Sequence, residues 1–329
     1  MQTGMPLQST TTNVAPRVSV IVAAFDAHET LERCLASLRA QTFRDFEVIL
    51  VDSSPGEESA RIASAFPEVR FDRSASRLYP HEARNRAVAQ ARGVLLVSID
   101  ADCYAHRECL AELVREYDAS AQVIVGAIAC HGRRLRDLGM HFCKFAKFLP
   151  GGAVRAIDTA PTANLLVARA DFEQAGGMHG GQYLADVSLG QALEAMGREL
   201  RFAPRAVVEH HHTDSIARFL RERYLRGGMF GRLRTSWLTT RRSVALYFIV
   251  SILPVRLARI AALTYRYCAA ANMRGAFLLT WPLAFAGHAA WLAGESLAYA
   301  RELVRFRARR PSARNNGAAL ARTTRWGPQ

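Results

Sequence analysis

Short aliphatic runs, each followed closely by an aspartate, recur in the first hundred residues of this 329-residue chain. They are rich in β-branched residues and lack the alternation of a half-exposed strand, which indicates strands buried on both faces. Such strands occur in parallel sheets covered by helices, so this pattern narrows the fold class before any other feature does. The runs are Val18–Ala24, Glu47–Val51 and Val94–Ile99.

Segments with helical spacing alternate with these strands. Apolar residues recur every three or four positions in Glu29–Ala40, and His81–Arg92 ends before Gly93, a residue type that commonly closes helices. A further helix is predicted near His106–Tyr117 and a further strand near Gln122–Ile128. The alternation predicts an α/β fold, with a mostly parallel sheet flanked by helices.

Four aspartates fall where the predicted strands end: Asp26, Asp52, Asp100 and Asp102. A single strand-end aspartate commonly caps a turn or a helix, but several on one rim favour a site, because functional groups of such sheets collect there. The turn after the first strand has no glycine, and the chain has no G-x-x-x-x-G-K-[ST] motif. A Rossmann dinucleotide site and a P-loop are therefore excluded.

Asp100-Ala101-Asp102 is the most informative triplet of the chain. Alternate residues of an extended segment point the same way, so both carboxylates can face one site. Carboxylate oxygens suit Mg²⁺ or Mn²⁺, which bind through one or two carboxylates together with substrate phosphates. The triplet predicts a site for such an ion beside a nucleotide diphosphate.

The six cysteines are scattered, without a C-x-x-C pair, and no histidine pair stands at zinc-ligand spacing. This predicts buried thiols in a reducing compartment and no structural zinc site. Residues 1–16 lack the features of a signal peptide, so we expect a disordered tail and a front domain that stays in the cytoplasm. A loose tail is predicted for residues 311–329.

Seven sequence blocks, in order, resemble the family 2 glycosyltransferases, which have a GT-A fold. The resemblance covers about residues 17–228; each block is loose alone, but their order is specific. The resemblance implies a metal-dependent reaction with a nucleotide-sugar donor and inversion at the anomeric carbon. The blocks are VSVIVAAFD (18–26), ILVDSS (49–54), EARNRAVAQARG (82–93), LLVSIDADC (95–103), TANLLVARADFEQAGGM (162–178), ADVSLGQALEAMG (185–197) and RFAPRAVVEHH (201–211).

The resemblance assigns roles around the donor. Asp100 and Asp102 match the family's Asp-x-Asp, which implies that the first lies near the ribose or base and the second on Mg²⁺ or Mn²⁺. Asp52 matches the aspartate expected to accept from the nucleobase, and Arg84 matches a contact to donor phosphate or base. With Asp26 on the same rim, these residues are the predicted binding site of a donor that we expect to be UDP-linked.

Asp186 matches the family's general base, which takes the proton of the acceptor hydroxyl. It opens a segment with helical spacing, so it could instead serve as a cap, and the helix dipole would then depress its pKa. The position before it, commonly acidic in the family, holds Ala185, and the position after Asp52 holds Ser53. A catalytically impaired scaffold that binds nucleotide or glycan is therefore an alternative, as is a nucleotidyltransferase.

Three consecutive histidines follow a predicted strand. His210 stands six residues after Pro204, which by the resemblance makes it a third metal or diphosphate contact. His211 and His212 are expected to lie around that contact or in solvent. Between the donor and base blocks, the cationic stretch His131–Thr159 is expected to face the acceptor, with a solvated loop as the alternative.

The charge is divided unequally along the chain. Residues 1–200 hold 21 Lys and Arg against 24 Asp and Glu, whereas residues 201–329 hold 22 against 5. Arginines interleave with apolar residues from Ser215 to Arg242, and two apolar stretches follow, Val244–Val255 and Ala276–Gly294. No nucleic-acid motif accompanies this charge, so we expect an anionic membrane surface as its partner.

A simple two-span hairpin would place Arg256, Arg259, Arg266 and Arg274 outside, against the positive-inside tendency. We therefore predict interfacial or re-entrant helices at the cytoplasmic face of a bacterial inner membrane, with buried helices of a cytoplasmic protein as the alternative. The predicted organisation is a tail (1–16), a GT-A catalytic domain (17–228), a basic and apolar helical region (229–310) and a second tail (311–329). The expected acceptor is a lipid-linked or cell-surface glycan.

Overall fold

The computed structural model describes residues 15–179, 184–238, 240–252 and 254–308, with side chains up to residue 305. The predicted tail 311–329, and all of the tail 1–16 except its last two residues, lie outside the described residues.

A nine-stranded sheet forms the centre of the described chain, in the order β3-β2-β1-β4-β8-β6-β9-β5, with β7 paired to β9. The expected strands are present. The strands are β1 Val18–Ala24, β2 Phe46–Asp52, β3 Val69–Arg73, β4 Leu95–Asp100, β5 Cys103–Ala105, β6 Val123–Cys130, β7 Arg155–Ile157, β8 Asn164–Ala168 and β9 Leu200–His210.

Strand direction divides the sheet into two halves. Strands β3, β2, β1 and β4 are parallel neighbours, as predicted. Strand β8 is antiparallel to β4 and to β6, β9 runs parallel to β6, and β5 and β7 are antiparallel to β9. Six strands therefore run one way and three the other, which confirms a mostly parallel sheet with antiparallel additions.

Helices cover the sheet and continue beyond it. They are α1 Leu31–Arg39, α2 Glu58–Ser64, α3 Pro80–Val88, α4 Cys109–Ser120, α5 Leu135–Phe145, α6 Arg169–Gln174, α7 Ala185–Ala195, α8 Ile216–Trp237, α9 Arg241–Ile252, α10 Pro254–Ala270 and α11 Arg274–Ala308. Helix α1 buries Leu31, Cys34, Leu35 and Leu38, the stripe that its spacing predicts. The stretch predicted to face the acceptor contains α5, so it is not simply a solvated loop.

Gly93 does not close a helix, contrary to the sequence prediction. Helix α3 ends at Val88, and Gly93 instead lies against β1, where its N–H donates to Ser19 Oγ at 2.9 Å. A Cβ at this position would stand 2.6 Å from the backbone nitrogen of Ser19. The glycine is required by this close approach of two backbones.

An irregularity in β9 sets its register at the functional rim. Opposite β6, the pairing moves from Gly126–Ala203 to Ala127–Val207, so β9 carries three extra residues. The buried amide of Asn164 donates to the carbonyl oxygens of Ala127 at 3.0 Å and Ala206 at 2.8 Å and so holds the bulge.

The C-terminal helices pack on the sheet domain through α5 and α8. Helix α8 continues across residue 228, where the sequence places a domain boundary. Glycines allow α8 and α11 to approach closely: a Cβ on Gly227 would stand 2.0 Å from Trp291 O, and one on Gly294 would stand 2.0 Å from Tyr224 O. Either substitution would force the two helices apart.

A buried ionic cluster lies between these helices. Glu295 of α11 has no exposed side-chain surface and accepts from Arg234 of α8 at 2.8 Å and Arg256 of α10 at 2.9 Å. Tyr299 donates to the same carboxylate at 2.6 Å. Arg234 and Arg256 therefore face Glu295, and not a surface as their sequence context had suggested.

One helix in the described part of the chain, over Arg274–Arg305, is long and apolar enough to cross a membrane by length and composition. A third of its most apolar window is buried, and a core helix of a soluble protein could pass the same test. Among the described residues, 17 of the 21 large apolar side chains that are exposed lie at or after Ile216. The exposed apolar surface is thus concentrated on the helical region.

Candidate active site

The end of β4 brings two acidic side chains to the rim of the sheet. Asp100 is the last residue of β4, and Asp102 directly precedes β5. Their side chains are 30% and 35% exposed, so both are accessible to a ligand. Burial raises the pKa of Asp102, and Lys144 opposes that rise. An added cation would favour its ionised form.

Strand pairing brings the predicted histidine to Asp102. In the β5–β9 ladder Cys103 lies opposite His210, and His210 Nε2 is 3.4 Å from Asp102 Oδ2. The His210 side chain is buried, and its Nδ1 has no hydrogen-bond partner in the part of the chain that the structure describes. Burial, followed by the charge of Lys144, lowers the pKa of His210 to about 3, which keeps it neutral and able to bind a metal.

Arg84 fixes the orientation of Asp100. Its guanidinium is buried, donates through Nε to Ser98 Oγ at 3.0 Å and pairs through Nη2 with Asp100 Oδ1. Ser98 and Asp100 are alternate residues of β4 and therefore share a face. Arg84 is thus a buried residue held at the rim from beneath, and not part of a surface ion pair.

The neighbouring residue of the same block has a different function in the fold. The amide of Asn85 accepts from Met178 N at 2.9 Å and donates to Met178 O at 2.8 Å. This pair of bonds ties α3 to the turn at Gly176 and Gly177, both of which have positive φ. The block that carries Arg84 therefore also anchors the turn at Gly176 and Gly177.

The first two aspartates lie in one turn network. Asp52 is fully buried, and its carboxylate accepts from Ser54 Oγ at 2.6 Å. Ser54 Oγ in turn accepts from the backbone N–H of Asp26 at 2.8 Å. Asp26 has a left-handed backbone (φ 54°) and a side chain that is 68% exposed. Asp52 therefore organises this turn, and its contact with a nucleobase stays a prediction. Ser53 Oγ is buried and has no partner.

Asp186 lies in the first turn of α7, half-buried, where its Oδ1 accepts from Val187 N at 2.9 Å. Burial raises its pKa, although the charges of Arg226 and Arg84 oppose this. The direction is opposite to the lower pKa expected of a helix cap, because desolvation of the carboxylate has the largest effect on it. A raised pKa makes this group a stronger base once it is ionised.

Sequence reasoning missed a charged group on α8. Glu222 lies 3.6 Å from Lys144 Nζ and 3.0 Å from Arg226 Nε. Burial alone would raise the pKa of Glu222, but Lys144, Arg226 and Arg223 lower it to about 2. Lys144 also acts on Asp102 and Arg226 on Asp186, so α8 and α5 bring positive charge to the rim. Arg226 had been assigned to the membrane, and neither its ion pair with Glu222 nor its electrostatic effect on Asp186 was visible in the sequence.

The other two histidines of the triplet are not solvated. His211 is half-buried, with Nδ1 2.9 Å from the hydroxyl of Tyr104. His212 is 3% exposed, and its Nε2 lies 3.1 Å from Nδ1 of His141. Burial strongly lowers the pKa of His212 and lowers that of His141 to about 3. Both rings are therefore neutral.

The sheet, with an Asp-x-Asp at the end of β4 and an acidic residue opening a helix across the rim, is that of the GT-A glycosyltransferases. The chain belongs to the family 2 glycosyltransferases. The model "Glycosyl transferase family group 2" matches residues 95–294, more than half of the chain. The model "Glycosyl transferase family 2" matches residues 19–155.

Curated relatives match about a third of the chain. Glycosyltransferase AglE of Haloferax volcanii is 28% identical over 123 residues, 35% of this chain and 40% of that protein. Succinoglycan biosynthesis protein ExoO of Rhizobium meliloti is 29% identical over 130 residues, 37% of this chain and 36% of that protein. The similarity thus spans well under half of each relative's length.

A solved structure extends the comparison of the fold. The mannosyltransferase PcManGT from Pyrobaculum calidifontis, in complex with GDP-Man and Mn²⁺, superimposes with a TM-score of 0.51 at 20% identity. The match covers 82% of this chain and 87% of that one. It confirms the GT-A fold.

Proposed function

We propose that this protein is a metal-dependent, inverting glycosyltransferase. It moves a sugar from a nucleotide diphosphate donor to a hydroxyl of a lipid-linked or cell-surface glycan. The observation that supports this most is that Asp100, Asp102 and His210 converge at one rim of the sheet. Asp186 opens α7, where the charges of Arg84 and Arg226 act on it.

The residues at the rim fit a divalent cation. The two carboxylates are partly exposed, and the neutral imidazole of His210 places Nε2 beside Asp102, while its buried Nδ1 lacks a partner among the described residues. Two oxygen donors and one imidazole suit Mn²⁺ or Mg²⁺. Asp102, Asp100 and His210 would hold the ion, which would supply positive charge to the departing nucleoside diphosphate. The Mn²⁺ named with the mannosyltransferase supports this choice.

The chain's own residues provide the remaining chemistry. Arg84 orients Asp100 for the donor and adds a fixed positive charge behind it. Lys144 and Arg226 bring further cationic charge to the rim, which favours a doubly anionic leaving group. Asp186 takes the proton of the acceptor hydroxyl as this oxygen attacks the anomeric carbon, with inversion.

The donor is proposed to be UDP-linked. Asp52, Ser54 and Asp26 form the hydrogen-bonded turn at the carboxyl ends of β1 and β2, where the nucleoside would lie. The mannosyltransferase structure names GDP-Man, so guanosine donors belong in the same test.

The helical region is proposed to hold the enzyme at the cytoplasmic face of an inner membrane. Large apolar side chains such as Val255, Leu278 and Leu279 are 71%, 59% and 69% exposed, and exposed arginines such as Arg241, Arg242 and Arg259 lie among the same helices. Apolar surface flanked by arginine suits a bilayer with anionic headgroups. Sedimentation with anionic but not zwitterionic vesicles would test this.

The proposed reaction is tested with a panel of UDP- and GDP-sugars and Mn²⁺, scored for release of the nucleoside diphosphate. We expect one donor to be turned over, and the variant Asp102→Ala to lose that turnover. Release of pyrophosphate would instead identify a nucleotidyltransferase. Donor binding without any turnover would identify the impaired scaffold, for which Ala185 and the unpartnered Ser53 Oγ are the features in favour.

A further inference from the structure

Three side chains that the proposed reaction does not use meet behind the rim. They are Cys130 at the end of β6, His141 on α5 and His212 just after β9. The cysteine sulfur and one ring nitrogen of each histidine all lie within 4.8 Å of one another. His141 and His212 are 0% and 3% exposed, and Cys130 is half-buried.

We infer that Cys130, His141 and His212 form a second metal site, selective for a borderline ion such as Zn²⁺ over Mg²⁺ or Mn²⁺. One thiolate and two imidazoles are ligands that Zn²⁺ prefers, whereas Mg²⁺ and Mn²⁺ favour oxygen ligands. The inference rests on the geometry of these three residues and does not depend on the proposed transferase reaction.

The tautomer of His141 is already that of a metal ligand. Its Nε2 lies 3.1 Å from the carbonyl oxygen of Ile128, which can only accept, so Nε2 carries the proton. Nδ1 therefore carries the free lone pair, and it lies 3.1 Å from Nε2 of His212. Histidine ligands commonly donate their second N–H to a backbone carbonyl in this way, because the bond fixes the ring and its tautomer.

The spacing of the ligand atoms is close to that of a tetrahedral site. His141 Nδ1 and His212 Nε2 are 3.1 Å apart, and two nitrogens on one tetrahedral Zn²⁺ would be about 3.3 Å apart. The cysteine sulfur lies within 4.8 Å of both nitrogens, so it needs to move inward by at most about 1 Å, since a sulfur and a nitrogen on Zn²⁺ would be about 3.6 Å apart. A rotation of the partly exposed Cys130 side chain can supply this.

Protons are accounted for on binding. The proton shared between the two histidines is on His212 Nε2, so this nitrogen must give it up and His212 must be protonated at Nδ1 instead. The thiol proton of Cys130 passes to solvent as the thiolate binds. A water molecule would complete four coordination, because three protein ligands leave one position open.

Such an ion would brace the reaction site. His212 follows His210 by two residues, and their rings are in contact, tilted by 37° with centroids 4.5 Å apart. A metal that ties the end of β9 to α5 and β6 would hold the His210 ring beside Asp102. The three ligands come from separate segments without a spacing motif, so a zinc site was not expected from the sequence.

Cobalt(II) is the spectroscopic probe for this site. We expect Co²⁺ added to the purified full chain to produce a thiolate-to-cobalt charge-transfer band, which reports the cluster and not the rim, and Zn²⁺ to displace it. Cys130→Ser should abolish the band, and His141→Gln and His212→Gln should weaken Co²⁺ binding. The matched controls Cys268→Ser and His106→Gln, which lie outside the cluster, should leave both unchanged.

Two further measurements keep the test decisive. Asp102→Asn should retain the band, since it alters the rim and not the cluster. If Cys130→Ser fails to fold, the wild-type chain is used instead, and we expect bound Zn²⁺ to protect Cys130 from a thiol-alkylating reagent. A band that is absent, that survives Cys130→Ser, or that disappears only in Asp102→Asn would overturn the inference, as would unprotected Cys130.

Discussion

His210 Nε2 lies 3.4 Å from Asp102 Oδ2, although 108 positions separate the two residues in the chain. The β5–β9 ladder creates this relationship, because it pairs Cys103 with His210. The bulge held by Asn164 sets the register of β9 against its other neighbour, β6. The acidic rim and the histidine are therefore one structural unit.

His210→Ala should raise the Mn²⁺ concentration needed for half-maximal activity by about tenfold or more, since a metal ligand is lost. The maximal rate should recover in part at high metal concentration. Metal titration of donor turnover measures both. His106→Ala is the control, because His106 is exposed and contacts Glu209 away from Asp102. Equal metal dependence in the two variants would remove His210 from the site.

Asp186→Asn should lower turnover by about 10² to 10⁴-fold, the usual contribution of a general base. Donor affinity should change little, because no donor contact is assigned to this residue. Calorimetry with the nucleoside diphosphate and Mn²⁺ measures binding, and product formation measures turnover. A variant that loses donor binding but keeps its rate would assign Asp186 to the donor instead.

The pH profile should report the raised pKa of Asp186. The base acts when it is deprotonated, so kcat/KM should fall as the pH decreases through a value above the ordinary aspartate pKa of about 3.9. The measurement belongs at saturating Mn²⁺, because the pKa of Asp102 is also raised and metal competes with that proton. An acid limb that moves with metal concentration, or that persists in Asp186→Asn, would trace to another group.

Arg84→Ala should weaken donor binding and leave Asp100 without its buried partner. Arg86→Ala is the matched control. Arg86 lies two residues further along the same helix and makes an exposed ion pair with Asp72. We expect donor KM to rise for the first variant and to stay near the wild-type value for the second. If the two variants have the same donor KM, Arg84 has only a structural role and does not contact the donor.

Glu295→Gln should destabilise the protein by about 3 kcal/mol, because Arg234 and Arg256 would be left buried without a counter-charge. Thermal unfolding measures this. Glu173→Gln removes an exposed pair with Arg169 and should leave the midpoint close to that of the wild type. A small shift for Glu295→Gln would mean that water or lipid reaches the cluster.

The strands that the sequence predicted well are those buried on both faces. The aliphatic run of β1 has the bounds expected from its composition, because only a buried strand needs such a run. Strands β5 and β7 have three residues each and carry no such signal. Their place is set by pairing with β9, which is a long-range property.

The site was predictable where the local sequence carries the chemistry, as at Asp100 and Asp102. Charges were not predictable where their partners are distant in sequence. Arg256 was expected on a basic surface but forms a buried ion pair with Glu295. Arg226 was assigned to the membrane, but its charge acts to lower the pKa of Asp186. Net charge does not reveal which ions become buried together.

The central claim is tested most directly by release of nucleoside diphosphate from the accepted donor, with and without Mn²⁺, in the wild-type chain, Asp102→Ala and Asp186→Asn. The account predicts release by the wild type with Mn²⁺, loss of release on chelation, and loss in both variants. Undiminished release by either variant, or release that continues after the metal is chelated, would contradict it.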